Sequence, residues 1–212
     1  MEAKKGMSGY GGMTTTAYKR AIDVRYLTGL TAMALALGQL RPGATLPLLF
    51  ASAFLFLCCA TDTFLGEIPN PLNLSLILSA LLYHGLNGGA GAIGMSLFGL
   101  LLGGALLLIP YLLGGMGGGD VKALAALGAL LGPSAIFQMF LYTGLIGGGL
   151  ALLHYFTSQA AMASHSNPLR TFLGTGNWSA LRPQGAAAKE RFPYAAALCF
   201  GFFVYHFWGG VL

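Results

Sequence analysis

The sequence predicts an all-α membrane protein, a polytopic bundle of about six to seven transmembrane helices. Three observations lead there. Of the 212 residues, 56% are hydrophobic and only 8% are charged, against about 25% charged in soluble domains. The mean hydropathy is +0.71. Apolar runs near spanning length recur through the chain, and the period-two alternation of a β-barrel strand is absent.

Each expected element is an apolar run bounded by polar or helix-breaking residues. The runs lie near 24–40, 45–62, 71–87, 92–113, 120–132, 135–156 and 193–211. The first is short and begins polar. The fifth is shorter than the roughly 17 residues a crossing needs, and Gly132-Pro133 stops it. Charge argues for keeping it. With a cytoplasmic N-terminus and seven crossings, Arg41 alone of the 11 basic residues falls outside, a strong positive-inside bias. Without the fifth crossing, the basic 157–192 loop would move outside. The chain therefore divides into a disordered cytoplasmic tail, 1–23, and a single transmembrane domain, 24–212, with a cytoplasmic loop at 157–192.

The net charge of +5 does not point to nucleic acid. The basic residues flank apolar runs instead of forming one patch, a distribution that suits membrane lipid. Cys58, Cys59 and Cys199 form no CxxC pair and read as small apolar residues in helices, not zinc ligands. The four histidines share no ligand spacing, and His84 and His206 are expected near the outer face. No metal and no cofactor is expected. Many of the 33 glycines read as packing contacts, among them Gly99-x-x-x-Gly103 and Gly144-x-x-x-Gly148.

Only six residues are acidic. Glu2, Asp23, Glu67 and Glu190 fall in polar surroundings, whereas Asp62 and Asp120 sit at the ends of apolar runs. A carboxylate at a membrane boundary needs hydration, a partner or a proton, and is a functional candidate by default. The topology puts Asp62, closing the second run, and Asp120, opening the fifth, at the same cytoplasmic face. They are 58 residues apart, so only a fold that joins those helix ends could pair them; two carboxylates in close contact share a proton and supply an acid and a base at once. That is the requirement for hydrolysing a peptide bond with an activated water. Before Asp120 stands Gly114-Gly115-Met116-Gly117-Gly118-Gly119. Such a run is too glycine-rich for a stable helix and is read as a flexible hinge that lets backbone approach closely.

The stretch GMGGGDVK resembles the GxGD signature of the type IV prepilin peptidases, with Gly117, Gly119 and Asp120 on its fixed positions and Lys122 on the lysine that commonly follows. Asp62 precedes Ile68-Pro69-Asn70 in a D-x5-I-P-N pattern that resembles the family's first catalytic motif. Pro193-Tyr194-Ala195 is similar to the turn that opens its last helix. The resemblance implies a multi-pass aspartic endopeptidase of the bacterial inner membrane, with Asp62 and Asp120 as catalytic pair and Gly117, Gly119 and Lys122 in support. Its partner would be a prepilin or pseudopilin, cut at the cytoplasmic face between basic leader and hydrophobic segment. Larger members carry an insert with two CxxC pairs, linked to N-methylation. This chain has none and so resembles the short, peptidase-only form of the tight-adherence or Flp pilus type. Presenilin-like proteases share a GxGD aspartate but pair it with Tyr-Asp, whereas Thr61 precedes Asp62 here.

Two other readings fit the residues. Membrane-edge carboxylates and glycine-broken helices suit an ion-coupled transporter, although such sites lie nearer the midplane. A non-catalytic scaffold for pilus or secretion assembly would carry the same apolar runs.

Overall fold

The computed structural model describes residues 15–40, 42–113, 116–157 and 194–209. Tail residues 1–14, Arg41, Gly114, Gly115, the stretch 158–193 with Pro193, and 210–212 lie outside the described residues. Expectations placed on those residues, the cytoplasmic loop above all, fall there too. Regular structure among the described residues is entirely helical. It comprises α1 (Thr15–Gly38), α2 (Leu46–Leu65), α3 (Asn70–Leu112), α4 (Gly118–Leu131), α5 (Pro133–Thr157) and α6 (Tyr194–Trp208).

α3 runs to 43 residues, about 65 Å if it were straight. It is not straight. Gly89 has φ 64° and ψ −156°, a region open essentially to glycine alone. His84 Nε2 lies 2.9 Å from the Leu130 carbonyl, and Ser96 Oγ donates to the Ala129 carbonyl at 2.7 Å. Residues on opposite sides of Gly89 thus meet the same last turn of α4. Toward the other end, Asn70 meets Lys122 and Gly103 meets Leu124. The two arms of α3 therefore run antiparallel to each other, the first parallel and the second antiparallel to α4, and they are the separate runs expected at 71–87 and 92–113.

Small residues make this packing possible. Gly99 and Gly128 touch backbone to backbone, and a Cβ added at Gly103 would stand 2.5 Å from the Leu124 carbonyl oxygen. The Gly99/Gly103 spacing does what it was expected to do. The Gly144/Gly148 spacing does not, because a Cβ at either position would meet no described atom within 4 Å. On α5, the close approach falls instead at Thr143 against Gly201 and at Gly147 against Ala197. The spacing identifies small residues, but helix rotation decides which ones face a neighbour.

Small and polar residues share the buried face of α3 with Leu76, Ala80 and Leu107. The buried face of α3 carries Asn73, Ser96, Gly99 and Gly103, while Leu74, Leu78, Leu82 and Leu86 are exposed in an i, i+4 stripe. So large an exposed apolar surface fits lipid, not water. Two described helices, Leu46–Leu65 and Asn70–Leu112, are long and apolar enough to cross a membrane, as expected of a helical membrane protein.

Two helix starts differ from expectation. α1 begins at Thr15, so residues 15–23 of the expected disordered tail are helical. No glycine or proline interrupts the chain between Met13 and Thr28, and backbone hydrogen bonding can begin before the apolar run does. α4 begins at Gly118, not at 120. The first-turn N–H groups need no intrahelical partner, so glycine is tolerated there. With its 14 residues, α4 is about 21 Å long. Its Ala123, Leu124 and Ala126 through Leu130 are at most 2% exposed. It is a central helix enclosed by the others, which is how so short a segment is accommodated.

Candidate functional site

Asp62 stands in the last turn of α2, which ends by geometry. Gly66 has φ 78°, and its N–H donates to the carbonyls of Thr61 and Asp62, each at 3.1 Å. A left-handed residue closing a helix this way is typically glycine. Asp62 is 9% exposed, and Thr63 beside it is 3% exposed. The backbone of α1 at Gly29 lies against the Thr63 side chain, and the Tyr26 and Phe64 rings pack at 6.3 Å. The N-terminal helix thus seats on the aspartate-bearing end of α2.

From Gly66 the chain turns through Glu67, Ile68 and Pro69 into α3. Ile68 is buried at 7% and Glu67 is exposed. A Cβ added at Gly119 would lie 3.3 Å from Ile68 Cβ. This close approach is the structural use of Gly119, and it brings the start of α4 against the segment just after Asp62. Gly118 lies in turn against the Tyr111 ring.

Asp120 is in the first turn of α4. The Gly117 N–H donates to Asp120 Oδ2 at 3.2 Å, and the Asp120 N–H donates to the Gly117 carbonyl at 3.2 Å. This is the carboxylate half of a capping box, at a helix end whose dipole favours negative charge. Lys122, which is exposed, donates from Nζ to Asn70 Oδ1 at 2.8 Å. The expected support residues therefore separate into three tasks: Gly117 caps, Gly119 allows close packing, and Lys122 ties α4 to the entry of α3.

Asp62 and Asp120 both lie within electrostatic reach of the Cys58 thiol, one turn before Asp62 on α2. Asp120 also lies within reach of Tyr194, the first residue of α6. Cys59 Sγ donates to the Ala195 carbonyl at 3.4 Å, and Cys199 Sγ donates to the Ala32 carbonyl at 3.1 Å. The end of α2 and the starts of α3, α4 and α6 thus converge on one region. The three cysteines are buried and free, as the sequence suggested, but that Cys58 lies within electrostatic reach of Asp120, on another helix, was not legible. Asn73, 3% exposed with no hydrogen bond to its side chain among the described residues, was also missed. It follows Asn70 by one helical turn, which a periodicity count on α3 could have revealed. Among the described residues no cluster of His, Cys, Asp and Glu is arranged to hold a metal ion.

The model of the type IV leader peptidase family matches residues 49–152. That segment runs from α2 into α5 and contains Asp62, Asn70, Gly117, Gly119, Asp120 and Lys122. The family resemblance read from the motifs is borne out. No curated protein and no solved structure matches the chain.

Proposed function

We propose that this chain, which belongs to the type IV leader peptidase family, cuts the basic leader from type IV prepilins or pseudopilins of the Flp-like kind. Asp62 and Asp120 act as the catalytic pair at the cytoplasmic face of the bacterial inner membrane. One carboxylate takes a proton from water as the water attacks the scissile carbonyl, and the other gives a proton to the leaving amine. Gly117, Gly119 and Lys122 hold the start of α4 in position.

One observation supports this reading above the others. The stretch after Asp62 and the stretch around Asp120 fold against each other, through Ile68 on Gly119 and Asn70 with Lys122. Two carboxylates remote in sequence thereby come within reach of one thiol. The proposed topology has seven crossings, two of them made by α3 and the shortest by α4, with the N-terminus in the cytoplasm and the 157–192 loop on the same side.

The test uses the full chain in detergent or proteoliposomes with a Flp-type prepilin. Leader removal by the native protein, lost in both Asp62→Asn and Asp120→Asn, is the expected result. Normal processing by either variant rejects the pair. Ion flux in the same proteoliposomes, abolished by the same substitutions while cleavage is absent throughout, would favour the transporter.

A further inference from the structure

At the end of the bundle remote from Asp62 and Asp120, α1, α2 and α6 line a partly open cavity of about 140 Å³. Its apolar walls include Leu35, Leu48, Phe203 and Phe207, and its polar groups are Gln39 and His206. None of these residues lies within the family-matched segment 49–152. The peptidase reading gives the cavity no task.

Gln39 is the informative residue. It follows the last residue of α1 and is 5% exposed, yet neither Oε1 nor Nε2 has a hydrogen-bond partner among the described residues. An unsatisfied buried amide is strongly disfavoured. An ordered water needs two to four polar partners, and Gln39 and His206 are the polar side chains of an otherwise apolar lining. The occupant that suits both features is amphipathic, with an acyl segment against the Leu and Phe walls and polar atoms at the amide.

Position narrows the class. The cavity sits where helices end, beside exposed Leu37, Leu40, Phe207 and Trp208. Aromatic residues of this kind mark the bilayer interface, the level of the glycerol esters of a phospholipid. We propose that this cavity is a binding site for one glycerophospholipid. Gln39 Nε2 donates to an ester carbonyl, and Oε1 accepts from a headgroup ammonium or hydroxyl. The seat joins the N-terminal helix to α2 and α6 at the end away from the aspartates.

The test is retention of dioleoyl phosphatidylethanolamine by the full chain in detergent, read by native mass spectrometry. Two variants are compared with the native protein. In Gly38→Leu, the new side chain enters open space, since a Cβ there meets no atom within 4 Å, and it fills the cavity. In Gln39→Leu, the polar anchor is lost at similar volume. The native protein should retain one bound lipid, and each variant should weaken retention about tenfold or more. Leader cleavage should stay within about twofold in both, since neither residue touches the aspartate region. Equal retention by the native protein and Gln39→Leu, or no lipid retained by the native protein, overturns the proposal. Loss of leader cleavage in Asp62→Asn leaves it untouched, so the two readings fail separately.

Discussion

Lys122 Nζ donates a 2.8 Å hydrogen bond to Asn70 Oδ1, joining the last residue of the GMGGGDVK run to the last residue of the Ile68-Pro69-Asn70 turn. Two segments far apart in sequence, each with an aspartate, are thereby fastened to one another outside the aspartates themselves. If the bond sets the spacing between α3 and α4, Lys122→Met and Asn70→Ala should each lower leader cleavage, and the double variant should be no worse than the poorer single one. A coupling of about 1 kcal/mol is expected from a double-mutant cycle on kcat/KM. Strict additivity would show that the two residues act separately.

The Asp120 carboxylate has a structural task beside its proposed chemical one, and the two can be separated. Asp120→Asn keeps a side-chain oxygen that can accept the Gly117 N–H, whereas Asp120→Ala does not. Both should reduce cleavage by about 100-fold or more, the usual scale of acid–base catalysis. Only Asp120→Ala should also lower thermal stability, by about 0.5–2 kcal/mol for a lost cap. Equal melting temperatures for the two variants would remove the capping role.

The backbone contact between α3 and α4 leaves no room for side chains. Gly99→Ala and Gly128→Ala should each destabilise the protein in detergent by about 1–3 kcal/mol or more, because the obstacle is a carbonyl and not a flexible side chain. Gly94, in the same helix, faces open space. Gly94→Ala should be neutral or stabilising by up to about 1 kcal/mol. Thermal unfolding of the three variants in one detergent is the measurement.

Gly89 makes the fold-back of α3. Its φ of 64° with ψ of −156° excludes a Cβ on backbone grounds, although space around it is open. Gly89→Ala should cost about 1–3 kcal/mol, while Gly91→Ala, also in open space but without a positive φ, should not. A Gly89→Ala protein as stable as the native one would mean that the turn is made differently.

The helical content was legible because lipid imposes a simple rule. Every backbone group in the apolar layer must be paired within the chain, so apolar runs such as 45–62 and 71–87 announce helices. The Gly132-Pro133 stop and the turn between the two arms of α3 were readable as breaks for the same reason. The start of α1 was not, because residues 15–23 are helical without being apolar. The glycines divided in the same way. Gly117 and Gly119 were singled out by their place in a motif, but that Gly119 admits Ile68 and that the Gly117 N–H donates to the Asp120 carboxylate were read only from the fold.

The sequence alone pointed to a helical membrane protein, to the family whose model matches residues 49–152, and to the two carboxylates that are out of place in their apolar surroundings. Those are properties of local composition and short spacing, fixed along the chain. The tertiary structure decided which small residues let helices touch, that Lys122 reaches Asn70, that Cys58 lies within reach of Asp120, and that Gln39 is buried against the cavity between α1, α2 and α6. Each of these depends on the rotation and crossing of whole helices, set by close packing between segments that one-dimensional spacing does not encode.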